Sequence, residues 1–342
     1  MAGVLTALAI GALADDAAAQ ATSPAMTVLA TEARPTPVSA HEGVIVWSSF
    51  DQARRRYRLR AQIDGRPVHL PVGSRTVPFD ADVGPDRTGH PVVVYSRCRR
   101  EPQPISSFSG LPAWRFARGC DLYTLSLGSM REQRLALLST STGSETLPSV
   151  WRDRVAFARV AEPRDSRRSS APRLYLGDRH TGRRRELPRG SVGQIERFNA
   201  GEEAIGGPGP TSLDLRGSVV TFAWNYIGRS CAPEDPFDED PLDPPQSTQV
   251  WRVSQSSRRL LDQACDANGV LSATFVGAQA AWLRQTGGTQ TSEIRFEQDR
   301  ARALKAPFGS RSIAFSRDVV AVHENGNPAY PYDIATFPLT VE

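Results

Sequence analysis

An all-β chain organised by an internal repeat is the fold class this sequence predicts, and three observations carry the prediction. Helical periodicity is almost absent from the 342 residues. Short runs rich in Val, Phe, Tyr and Trp alternate with clusters of Gly, Pro and Ser. One strand-turn-strand unit recurs about six times.

The chain opens on Val4 to Ala14, a small apolar run followed by the small-x-small triplet Ala19-Gln20-Ala21. This reads as a secretory signal over 1–21, too short to span a bilayer. Asp15-Asp16 interrupts the approach to the cleavage site, and no basic residue precedes the run, which a start codon assigned too far downstream would explain. Residues 22–40, rich in Ala, Thr and Pro, read as an unstructured lead-in, and 41–342 as one repeat domain.

The first half of each unit is a turn ending in Gly or a polar residue, then an apolar strand closing on an aromatic. Gly43 to Trp47, Gly89 to Tyr95, Asp153 to Phe157, Gly217 to Phe222, Gly277 to Trp282 and Asp318 to Val322 follow the pattern, the last without its aromatic. Continuous apolar character predicts strands covered on both faces. The second half is an alternating strand, a tight turn and a closing strand. Examples run from Tyr57 through Asp64-Gly65 to Pro71, from Asp121 to Leu138, from Pro172 through Thr181-Gly182 to Pro188, from Gln249 to Leu261 and from Glu293 to Leu304; Tyr332 to Phe337 ends the series. Alternation predicts one buried and one wet face, and Asp64-Gly65 is a two-residue hairpin signal. A buried strand followed by a hairpin, recurring every roughly forty to sixty-five residues, predicts a β-propeller of about six blades of mostly four-stranded antiparallel sheet. Arg183-Arg184-Arg185 reads as a solvated outer edge.

The stretch Gly84-Pro85-Asp86 through Gly89 to Tyr95 resembles the Ser-Pro-Asp-Gly turn and strand of TolB-type propellers, and Leu174-Tyr175 to Leu187-Pro188 resembles the close of that family's repeat. The resemblance extends over about Glu42 to Pro338, with the full motif in the second blade only. It implies an exported propeller.

On the blade scheme Cys98 follows one strand and Cys120 precedes its antiparallel neighbour, which predicts a blade-local Cys98–Cys120 bridge, with Cys231–Cys265 as the second pair. Loops of this size add about 3 kcal/mol each when closed without strain. None of the four cysteines sits in a C-x-x-C pair or at metal-ligand spacing from a histidine. Disulfides and a signal together predict an extracytoplasmic location.

The net charge of +4 comes from scattered arginines, with Lys305 the sole lysine, matched by 37 carboxylates. That pattern argues against nucleic acid as a partner. No G-x-S-x-G elbow, H-E-x-x-H pair or phosphate loop is present, and Gly206 to Pro210 reads as an inter-blade linker. The insert 99–119 carries Phe108, Leu111, Trp114, Arg115 and Phe116; Phe108, Trp114, Arg115 and Phe116 form a candidate binding surface, against the alternative that the insert buries its aromatics on its own blade. Asp80 and Asp82 point the same way from an extended strand, with Asp86 in the following turn. They are the candidates for a small cation site, with structural hydrogen bonding as the alternative. The acidic stretch 234–243 offers oxygen ligands for Ca²⁺ but no EF-hand spacing, and reads as a solvated insert.

The expectation is therefore a monomeric, exported, non-enzymatic propeller without a cofactor, binding a protein, peptide or cell-envelope component. The competing expectation is a propeller hydrolase or lyase with an axial carboxylate and arginine site.

Overall fold

The computed structural model describes residues 26–100, 111–112, 114, 117–161, 172–191, 209–227, 246–265, 269–286, 291–299 and 303–339. These form six four-stranded antiparallel sheets, the blades of a propeller. Blade 1 holds β2 (Val38–His41), β3 (Val44–Asp51), β4 (Arg56–Ile63) and β5 (Arg66–Val68). Blade 2 holds β6 (Asp80–Pro85), β7 (Pro91–Arg97), β8 (Asp121–Ser126) and β9 (Arg131–Arg134). Blade 3 holds β10 (Gly143–Trp151), β11 (Arg154–Ala161), β12 (Arg173–Asp178) and β13 (Arg184–Leu187). Blade 4 holds β14 (Gly209–Arg216), β15 (Val219–Ile227), β16 (Gln246–Val253) and β17 (Arg258–Cys265), and blade 5 holds β18 (Val270–Val276), β19 (Gln279–Thr286), β20 (Thr291–Phe296) and β21 (Ala303–Lys305). Blade 6 takes β22 (Ser312–Phe315), β23 (Val319–Glu324) and β24 (Tyr332–Phe337) from the end of the chain and its outermost strand, β1 (Thr27–Glu32), from the beginning.

That closure corrects the reading of 22–40 as an unstructured lead-in. Thr27 pairs with Thr336 and Glu32 with Tyr332, so this stretch fastens the ring. Residues 1–25, and the signal read there, lie outside the described residues.

A second correction concerns the innermost strand. The strands β3, β7, β11, β15, β19 and β23 are second in their blades; the strand that precedes each turn is first in its sheet and lies at the axis. The turns make this hairpin compulsory. Glu42 and Gly43 both take positive φ, 43° and 87°, as do Asp64 and Gly65 at 47° and 76°, the two-residue geometry that matches strand twist. Where the third blade has no glycine, Arg152 takes φ 57° instead. Gly209 and Pro210, expected in a linker, begin β14, and 135–138 follows β9 as a turn rather than a strand.

Packed side chains fill the seams between blades. Val46, Leu59, Phe79, Val93 and Tyr95 join blades 1 and 2, and Val92, Val94, Val150, Val155 and Phe157 join blades 2 and 3. Arg184 at the outer edge of blade 3 is exposed, as a strand with one open edge requires.

Antiparallel order sorts the connections by rim. First-to-second and third-to-fourth strand turns leave from one rim, second-to-third and blade-to-blade connections from the other. The turn rim carries nothing longer than 297–302, whereas the opposite rim carries 98–120, 162–172, 188–208 and 228–245. We call the latter the insert rim.

Candidate functional site: the axial carboxylates and the two rims

Inner strands have one edge facing the axis, where backbone N–H groups lack a sheet partner and still need an acceptor. Here the preceding blade supplies it. Ser39 Oγ accepts from Val83 N at 3.1 Å, Asp82 Oδ2 from Val150 N at 2.8 Å, Ser149 Oγ from Leu215 N at 2.9 Å and Asp214 Oδ2 from Phe275 N at 2.7 Å. One turn further along, Asp80 accepts from Leu147 N, Ser212 Oγ from Ala273 N at 2.7 Å, Ser272 Oγ from Ile313 N at 3.3 Å and Ser312 Oγ from Val38 N at 3.2 Å. The donors advance in step with the acceptors, so neighbouring inner strands run parallel around the axis.

The same side chains bond to one another. Ser39 donates to Asp82, Ser149 Oγ lies 2.8 Å from Asp82 Oδ2 and 3.2 Å from Asp214 Oδ1, and Thr274 Oγ1 donates to Asp214 Oδ2 at 2.7 Å. Asp80 and Asp82 both face the next blade, where they accept from Leu147 N and Val150 N. Sequence reasoning misses Asp214, although Asp80-Ala-Asp82-Val, Ser212-Leu-Asp214-Leu, Ser272-Ala-Thr274-Phe and Ser312-Ile-Ala-Phe315 form a polar-x-small-or-polar-apolar repeat just before each turn.

Burial governs the titration of these acids. Asp80 is 5% exposed; desolvation and the nearby Asp82 push it up to about 8, against the Leu147 N–H. Asp82 and Asp214 are half-buried. Desolvation, then the charge of Asp214, raises Asp82 to about 7. Desolvation also raises Asp214, against its hydrogen bonds from Thr274, Phe275 and Leu215. Asp86 differs. It lies in the turn-rim connection after β6, where Thr88 N, Thr88 Oγ1 and His90 N donate to its Oδ1 at 2.8, 2.7 and 3.0 Å. Burial opposes its ionisation, but those bonds together hold it below the usual carboxylate range. The three aspartates are thus not gathered as one cation site, and among the described residues no three His, Cys, Asp or Glu side chains are grouped to hold a metal ion. The acidic stretch 234–243 lies outside the described residues.

Toward the turn rim, side chains from three inner strands meet. The His41 ring meets Trp151 edge-on at 5.8 Å between centroids, and the Arg216 guanidinium lies 4.6 Å from the Trp151 ring centre. These residues end β2, β10 and β14. The corresponding stretch of β6 carries Gly84, where a Cβ would lie 2.2 Å from Val150 O, so only glycine lets the second and third blades approach this closely. Desolvation lowers His41, with Glu42 and Asp214 opposing and Arg216 adding to the shift.

At the insert rim, Cys98 and Cys120 form the expected disulfide, directly beyond the Arg97–Asp121 pair of β7 and β8. Cys265 is also disulfide-bonded; Cys231 lies outside the described residues. Trp114, proposed from sequence as a binding residue, is 2% exposed and packs in the core with Cys98, Ala117 and Cys120. The insert turns this aromatic inward because an indole held at the base of a bridged loop finds apolar surface there. Phe108, Arg115 and Phe116 lie outside the described residues. Exposed apolar side chains on connections are found elsewhere on this rim, at Phe308 and Tyr330, whereas the exposed Leu137 packs against Gly182 in the β12–β13 turn. No helix of the described residues is long and apolar enough to cross a membrane.

No family model matches the chain, and no curated protein matches it in sequence. Among solved structures it is similar to TolB from Acinetobacter baumannii, at 14% identity and TM-score 0.52, over 88% of this chain and 65% of that one. It also aligns with an oligogalacturonate lyase from Vibrio parahaemolyticus, at 10% identity and TM-score 0.49 over 94% and 96% of the two chains. The β-propeller domain of the Trilobed protease from Pyrococcus furiosus aligns at 8% identity and TM-score 0.47, over 90% and 96%. The chain thus spans about two thirds of TolB's length, and what it shares with TolB is the six-bladed propeller fold.

Proposed function

We propose that this chain is an exported binding propeller whose insert rim takes up a protein, peptide or cell-envelope component. The observation that carries the reading is the asymmetry of the rims. Every long connection leaves from one rim, and so do the exposed apolar connection residues Phe308 and Tyr330. Exposed apolar side chains on a rigid scaffold favour a protein surface as ligand, because covering them is what removes apolar area from water. The Cys98–Cys120 disulfide supports an extracytoplasmic setting.

Photo-crosslinking in the exporting cell tests this. A crosslinker at Phe308 or Tyr330 is expected to trap a defined partner, whereas one at Thr88 or His180 on the turn rim is not. Trapping from the turn rim alone would refute the reading.

A second reading, a propeller hydrolase or lyase working from the axis, draws on the raised acids Asp82 and Asp214. Their oxygens already accept from the next blade's backbone, so this reading requires Asp82→Asn to abolish turnover of a glycan or peptide substrate in chains that still melt cooperatively.

A further inference from the structure

Positive charge that is scattered along most of the chain is gathered at one place on the insert rim. Arg54, Arg55, Arg56, Arg58 and Arg60 fall within seven residues, and no acid lies between Asp51 and Asp64. Arg54 and Arg55 belong to the β3–β4 connection, Arg56 opens β4, and all three are exposed. Tyr57, Leu59 and Ala61 of β4 pack toward blade 2, so alternation turns Arg56, Arg58 and Arg60 to the opposite face. Gln62, next on that face, donates to Leu29 O of β1 at 3.3 Å, which sets the face beside blade 6. The Arg34 guanidinium joins the group, 4.0 Å from the Phe50 ring centre and donating to Tyr57 Oη at 2.7 Å.

Blade 6 completes the surface. Gln52 Nε2 donates to Ala329 O at 2.9 Å, tying the basic hairpin to the connection 325–331. That connection carries Tyr330, 43% exposed. The acids nearby are already engaged. Glu324 pairs with Arg311, and Asp333 accepts from Asn325 Nδ2 at 2.7 Å. Glu32, whose charge interacts with Arg60, is buried and accepts from Trp47 Nε1 at 2.7 Å. Among the described residues, the only carboxylate ion-paired with the hairpin arginines is Asp51, 3.3 Å from Arg54 and 3.9 Å from Arg58.

We propose that this two-blade surface docks an acidic segment of a partner protein, with carboxylates on the arginines and an apolar side chain against Tyr330. The proposal rests on the reading of the insert rim as the binding face and names the partner's chemistry. Arginine and tyrosine are the residue types that concentrate binding energy at protein interfaces, and a guanidinium takes a carboxylate through two parallel hydrogen bonds. An extended anionic surface such as a bilayer fits less well. The connection 228–245 leaves the same rim and carries six carboxylates between Glu234 and Asp243, which a negative surface spanning the rim repels. A short segment meets the arginines alone.

Fluorescence anisotropy on the full chain, with a labelled peptide of alternating glutamate and tyrosine, tests this. The wild type is expected to bind it saturably, and not to bind the glutamine–tyrosine counterpart. Arg54→Glu combined with Arg55→Glu is expected to weaken binding about tenfold, as exposed attractions of small individual worth become repulsions. Arg66→Glu combined with Arg131→Glu makes the same charge change on the turn rim and is expected to leave binding unchanged. Should the first variant fail to fold, Arg55→Gln leaves the bond from Arg54 N to Asp51 in place and is expected to weaken binding about twofold. Equal weakening by the two reversals overturns the proposal. So does tighter binding to phosphatidylglycerol vesicles than to the peptide, or a chain whose self-association in sedimentation is abolished by the Arg54 and Arg55 reversal. The underlying reading fails separately, when a crosslinker at Phe308 traps no partner in the exporting cell. A partner still trapped after the reversal refutes the acidic segment alone.

Discussion

The two rims of this propeller are built from the same strands and behave differently. At the turn rim, connections such as Glu42-Gly43 and Asp64-Gly65 are tight hairpins, and His41, Trp151 and Arg216 from three blades pack together. At the insert rim, connections are long, a disulfide closes one of them, and buried charges lock chain to chain: Glu145 N donates to Cys120 O at 3.1 Å while its carboxylate takes Arg159 and Thr140. Burial raises Glu145, with Arg159 and Thr140 opposing. One rim is closed by turn chemistry that is local in the chain; the other needs bridges between blades. A scaffold that is rigid at one rim frees the other to vary, which is the ground for proposing the insert rim as the binding face.

The comparison breaks most completely if ring closure is not what holds both rims. Removing 27–32 deprives β24 of its partner and exposes the outer side of blade 6, so cooperative unfolding is expected to disappear from the thermal melt. Retention of a sharp transition would show that the ring stands without β1. Next in size is Trp114→Ala. As a core residue its removal costs about 3–5 kcal/mol, against about 0.5 kcal/mol or less for an exposed surface residue; chemical denaturation separates these values. Reducing Cys98–Cys120, which spans 22 residues, is expected to cost about 3 kcal/mol by loop entropy, read as a lower denaturation midpoint. On the turn rim, Gly84→Ala drives a Cβ against Val150 O and is expected to cost about 1–3 kcal/mol, with loss of the Asp82–Val150 bond visible as faster amide exchange at Val150. Smallest is Arg87→Ala. Its 3.0 Å pair with Asp153 is exposed, and a melting point shifted by more than about 1 °C would contradict the low value of such pairs.

Much of the fold is legible in the chain because the signals are local. The apolar run Val92 to Tyr95 needs cover on both faces, Asp64-Gly65 needs a hairpin, and Cys98 and Cys120 flank strands that must be antiparallel. The innermost strands were harder to read. Val38–His41 and Ser312–Phe315 are short, and the serine in each makes sense only once a neighbouring blade donates N–H groups to Ser39 and Ser312. Asp80 and Asp82 could be singled out as a pair, because both lie within three residues. Asp214 could not be joined to them, since its bond partners Ser149 and Thr274 lie 65 and 60 residues away. Trp114 misled for the related reason that composition does not tell an aromatic facing solvent from one turned inward.

Sequence by itself determined the class, the repeat, the approximate blade number and the blade-local disulfide. All of these follow from spacing along a strand or across one turn. Only the tertiary structure decided that the lead-in closes the ring, that inner strands stitch each blade to the next, and that the long connections share one rim. Those facts depend on which segments become neighbours when six blades close around an axis, and periodicity along the chain carries no information about that meeting.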